Sequence, residues 1–181
     1  MDRNPGEPHE ALSMNVCLKI TSAMLAAIRE DLGRRHAFAH ERVGFLTAGA
    51  SALLGPDLLL TARTYRPVDE EDYMPDPSVG VKIGPGAMRK ALQAAYRPPA
   101  AILHIHTHGG CGRQHFSGVD KQSAGDFVPS FFNVVPRMPH GIVVLSDDCA
   151  NGLLWLGPDH QARSFVDIVA VGAPLSKYGD M

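Results

Sequence analysis

Several features are missing from this 181-residue chain, and each absence narrows what it can be. No apolar run approaches the roughly 20 residues that a membrane-spanning helix needs. The opening stretch MDRNPGEPHE has no hydrophobic core behind a basic start, so no secretory signal is expected. Cysteine is sparse: Cys17, Cys111 and Cys149 are scattered without a CxxC pair. That argues against a disulfide framework and for reduced thiols in a cytoplasm. Neither sign of charge dominates, the formal net charge being −2. Nothing therefore draws the chain to nucleic acid or to an anionic membrane. There is no internal repeat, no low-complexity segment and no HExxH, so a helical zinc protease is not expected.

What is present describes one soluble domain, with 45% apolar and 20% charged residues in a length suited to a single core. Residues 1–13 and 173–181 read as tails around a domain over 14–172. MNVCLKI reads as a strand, and TSAMLAAIREDLGRRHAF as a helix with a Thr/Ser cap and Met24, Leu25, Ile28 and Leu32 on one face. RVGFLTAG and DLLLTARTYRPV read as paired strands across the turn signal Gly55-Pro56. DEEDYMPDPS is acidic and reads as a solvated loop, GVKIG as a brief strand, and PGAMRKALQAAY as a helix stopped by Pro98-Pro99. AAILHIHT is the strongest strand candidate. SGVDKQSAGDFVPSFF reads as a short helix that breaks at Pro129. HGIVVLSDD, NGLLWLG and ARSFVDIVAVG supply three more strands, the first two as a hairpin. The order predicts an α/β (α+β) fold, a mixed β-sheet flanked by helices.

The stretch AILHIHTHGGCGRQHFSGVD, residues 101–120, carries the chemistry. Alternate residues of a strand share a face, roughly 6–7 Å apart, so His104, His106 and His108 line one side. Two imidazoles and a carboxylate from the following turn would make a three-ligand metal shell with a fourth position open, as catalytic sites have. A strand that merely contains histidine is the competing reading, and spacing alone leaves the two level. Upstream, Glu41 stands just before a buried strand, where a carboxylate gains little from packing. It is either a solvated strand-start acid or the non-ligand proton carrier that metal-assisted hydrolysis requires.

Taken together, Glu41-Arg42-Val43-Gly44-Phe45-Leu46, then His106-Thr107-His108, then Ser117-Gly118-Val119-Asp120 resemble the JAMM/MPN+ (JAB) zinc metalloproteases. The order of elements resembles the MPN fold as well. The resemblance implies that His106, His108 and Asp120 bind Zn2+, that Glu41 is the general acid/base, and that the Ser117 hydroxyl stabilises the oxyanion. It implies cleavage after the C-terminal tail of a ubiquitin-like protein, in conjugates or precursors. HIHTHGG…FSGVD and PHGIVVLS look most like the bacterial branch that works with E1-like and E2-like proteins in antiphage conjugation systems. Two places differ from the family pattern. Gly109 stands where a proline usually follows the second histidine, and the loop from His108 to Ser117 is one residue longer. Registering the motif on His104 and His106 worsens the misfit, which leaves His104 as a neighbour of the ligands.

Other residues in the region read more plainly. Cys111 has no base placed for it by spacing, and His/His/Asp already fills a shell, so it is not read as a nucleophile. Arg113 and His115 read as exposed, Trp155 as core, and Gly109, Gly110 and Gly112 as suppliers of tight backbone turns. Two rival functions use the same chain. One is a zinc hydrolase of small peptides or cysteine adducts; the other is a non-catalytic MPN scaffold, disfavoured because the Glu and histidine positions that such scaffolds usually lose are kept.

Overall fold

The computed structural model describes residues 14–53, 57–173 and 176–179. The expected N-terminal tail and the Gly55-Pro56 turn lie outside them. Strand β1 (Val16–Thr21) leads into helix α1 (Ser22–Leu32), followed by β2 (Val43–Ala52) and β3 (Leu58–Pro67). A 3₁₀ turn at Glu70–Asp72 precedes α2 (Pro85–Tyr96), β4 (Ala101–Thr107), α3 (Gly118–Phe132), β5 (His140–Leu145) and β6 (Ala150–Trp155). Short strands β7 (Arg163–Ser164), β8 (Asp167–Val171) and β9 (Ser176–Gly179) close the chain. All nine join one mixed sheet in the order β7-β6-β5-β4-β2-β3-β1-β8-β9. The expected α/β fold with a mixed sheet and flanking helices is the one observed, and β2 and β3 pair antiparallel as expected. No helix among the described residues is long and apolar enough to cross a membrane.

Alternation along the strands divides the interior in two. Leu103 and Ile105 of β4 face α1, where Leu25, Ile28 and Leu32 join Leu18, Leu46 and Val143. Ile102 of β4 faces the other way, toward Phe45, Ile142 and the inner faces of α2 and α3. The buried stripe of α2 is Ala87, Ala91 and Ala95, side chains short enough to bring the helix close to the sheet.

Several local expectations are corrected. Helix α1 starts at the expected cap, Met24 N–H donating to Thr21 Oγ1 at 3.2 Å, but ends at Leu32 rather than running on to Phe38. Gly33 caps it, and the next residues are taken up by other bonds. Helix α3 does not break at Pro129; it continues to Phe132. An interior proline costs about 3 kcal/mol. Buried Val128, Phe131 and Phe132 return roughly 1.5–3 kcal/mol each, so the last turn holds. GVKIG makes a single bridge, Tyr73 with Ile83, instead of a strand. The acidic loop is not wholly solvated, since Tyr73 is buried and Glu70 is paired. ARSFVDIVAVG splits into β7 and β8, and residues expected as a C-terminal tail supply β9 against β8.

Candidate functional site

Strand β4 sits mid-sheet, antiparallel to β2 and parallel to β5. Its alternation puts His104 and His106 on the α2/α3 face, with Val43 directly opposite His106 and Phe45 opposite His104. His106 is 3% exposed; its Nε2 lies 3.2 Å from Nε2 of His108, just past the strand end. His108 is held there by its own N–H donating to Leu145 O at 3.2 Å.

Beyond it the chain turns through Gly109, Gly110 and Gly112, all with positive φ. At Gly109 φ is +67°, a backbone that proline, locked near −65°, cannot adopt. A proline could not stand at this position on the course that the loop takes. Asp147 N–H donates to Gly110 O at 2.8 Å, and Ser146 Oγ–H to Gly112 O at 2.9 Å, which ties the loop to the β5–β6 turn. The loop delivers the chain to Ser117, the N-cap of α3, and Asp120 in its first turn. Asp120 Oδ1 is 3.5 Å from His106 Nε2, and Oδ2 is 3.3 Å from His108 Nε2. Burial alone would raise the Asp120 carboxyl. Hydrogen bonds from His106 and Ser117 outweigh it and hold the group well below the usual carboxylate range.

Glu41 arrives from the far side. Its neighbour Arg42, 3% exposed, donates from Nε to Arg34 O at 3.0 Å and from the guanidinium to Arg35 O at 3.3 Å. Arg42 also pairs with Glu70, whose other oxygen is 3.1 Å from His36 Nε2. This knot fixes the segment between α1 and β2. His40 N–H donates to Gly80 O at 2.8 Å, so residues 77–83 run past the Glu41 side chain. A Cβ on Gly80 would come within 3.3 Å of Glu41 Oε1. A carboxylate oxygen of Glu41 and one ring nitrogen each of His106 and His108 lie within 4.8 Å of one another.

Donors about 2.0–2.1 Å from a tetrahedral ion stand roughly 3.3 Å apart, and the His106–His108–Asp120 separations of 3.2–3.5 Å match that edge. All five sequence-expected residues, Glu41, His106, His108, Ser117 and Asp120, line one cleft of about 680 Å³. One feature departs from a finished metal shell: His106 Nδ1 is buried without a hydrogen-bond partner, where such rings usually donate to a carbonyl or carboxylate. Cys111 is exposed and not among the cleft-lining residues. His104 does line the cleft; burial, then the neighbouring His106, pushes it down to about 3.

Sequence reasoning missed Arg42 as the anchor of Glu41, since a lone arginine before a strand carries no signal. It also missed that Ser117-x-x-Asp120 is a capping box, a spacing that was legible.

No family model matches the chain, and no curated protein matches it. Among solved structures, the Trichoplax adhaerens STIL N-terminal domain is similar at 12% identity and a TM-score of 0.36. The match covers 76% of this chain and 40% of that one, too loose a likeness to inform fold or function.

Proposed function

We propose that the chain is a zinc-dependent isopeptidase of the JAMM/MPN+ kind that cleaves after the C-terminal tail of a ubiquitin-like protein. The observation that carries this reading is that Asp120 meets both His106 and His108 while Glu41 converges on the same two histidines from the other side of one cleft. Two imidazoles and a carboxylate suit zinc, and an open cleft beside them suits a hydrolytic site. Zinc, when bound, supplies Lewis acidity toward water and the scissile carbonyl. Glu41 takes the proton of the attacking water and returns it to the departing amine. Ser117 Oγ accepts from Asp120 N–H, which leaves its own proton free to donate to the developing oxyanion. The bacterial conjugation setting, with E1-like and E2-like partners in a cytoplasm, belongs to this same proposal.

The test is metal content and hydrolysis on one sample. Purified protein should carry about one zinc per chain and release a ubiquitin-like protein from a C-terminal fusion or lysine conjugate. Failure to bind zinc, or a zinc-loaded protein that cleaves neither substrate, overturns the proposal. Zinc binding with hydrolysis of short peptides alone would favour the small-substrate hydrolase.

A further inference from the structure

We infer that His104 is a specificity residue: its imidazole closes the inner arm of the cleft and takes a substrate side chain with an apolar body and one hydrogen-bonding atom at its tip, such as tyrosine. This rests on the reading of the cleft as a peptidase site.

Two buried-side histidines on neighbouring strands make the case by contrast. His140 of β5 is saturated: Nδ1 accepts from Ile102 N–H at 3.1 Å, and Nε2 donates to Val135 O at 3.0 Å. His104 of β4 has no hydrogen-bond partner for either ring nitrogen among the described residues. Its ring packs on apolar neighbours, 5.2 Å from Phe127 and 5.5 Å from Phe45. Neither His104 nitrogen is among the buried unpaired polar atoms of the described residues, so both keep access to the open cleft. What remains exposed of His104 faces the cleft.

The walls there are Val43, Ile83, Met88, Phe127 and Ile142. Apolar walls beside a few placed polar groups are the make-up of a ligand pocket, and the polar groups of this cleft also include Lys82 and Ser123. His104 is neither in the Glu41–His106–His108 group nor, as Asp120 is, in contact with the Nε2 atoms of both histidines, so a ligand role does not account for it. A neutral imidazole offers one donor and one acceptor, and a hydroxyl can meet either. The phenol of tyrosine adds a ring to lie against Phe127.

The experiment compares p-cresol with toluene, the side chains of tyrosine and phenylalanine, on the purified protein by ¹⁵N imidazole NMR. In the wild type, p-cresol should bind about tenfold tighter than toluene and shift the His104 ring nitrogens, as one net hydrogen bond warrants. The ratio should fall to near one in His104→Phe and recover in part in His104→Gln, which keeps a hydrogen-bonding tip. Equal affinities in the wild type, or an unchanged ratio in His104→Phe, overturns the inference. A mixed-peptide library is then digested with the same proteins. Cleavage without a tyrosine-over-phenylalanine preference overturns the role of His104 and leaves the peptidase standing. Selective p-cresol binding with no cleavage of the library, the fusion or the conjugate retains the pocket and removes the peptidase.

Discussion

Ser117 and Asp120 hold each other across the first turn of α3. Asp120 N–H donates to Ser117 Oγ at 3.1 Å, and Ser117 N–H donates to Asp120 Oδ2 at 2.7 Å. The carboxylate that faces His106 and His108 is therefore aimed by the helix cap itself. Ser117→Ala should cost about 0.5–2 kcal/mol in urea unfolding, and because the backbone N–H that holds the Asp120 carboxylate remains, zinc should weaken by less than about tenfold. At saturating zinc, a further fall of about 10²–10³ in kcat is expected if the hydroxyl also serves the oxyanion. A normal kcat under that condition would confine Ser117 to the cap.

Metal binding should separate the three histidines of β4 and its end. His106→Ala and His108→Ala each should abolish stoichiometric zinc by elemental analysis. His104→Ala should keep most of it, because its ring lies 5.7 Å from that of His106 and is outside the converging set. Equal loss in His104→Ala would mean that the ligand pair is displaced by two residues.

Glu41 is close enough to both His106 and His108 to be a fourth ligand as well as a proton carrier. Glu41→Gln decides between them. The proton-carrier role predicts retained zinc and a cleavage rate lower by about 10²–10⁴. Loss of zinc together with activity would make Glu41 a ligand, and activity above about a tenth of wild type would give it neither role.

Stability should fall with acid through His140. Burial pushes this group down to about 4, partly opposed by its bond to Val135 O. Its unfolded counterpart titrates near 6.5, so the unfolded chain binds the proton first. The contribution is whole above pH 6.5, shrinks as pH falls toward 4 and levels off below. Between pH 7.5 and 5 the loss is about 2 kcal/mol. His104, pushed down to about 3, contributes in the same direction over an overlapping window that reaches lower. The readout is thus the difference in pH slope between wild type and His140→Gln, in urea unfolding with chelator present. An unchanged slope would remove His140 from the account.

The sequence by itself determined what short-range chemistry sets. Alternation in AAILHIHT places His104 and His106 on one face whatever lies beside them, because a strand repeats every two residues. Thr21 and Ser117 start helices because their oxygens meet backbone N–H groups three residues on. Tertiary structure decided the rest. Glu41 reaches His106 only because β2 and β4 pair with Val43 opposite His106, and because Arg42 ties down the preceding turn. Pro129 stays helical because distant strands bury Phe131 and Phe132, outweighing a local rule. His104 faces a cleft rather than a closed core because α2, α3 and residues 77–83 leave space over it. Periodicity and caps act within a few residues along the chain. Strand register and cleft shape are set by burial between segments far apart in it, which no local pattern encodes.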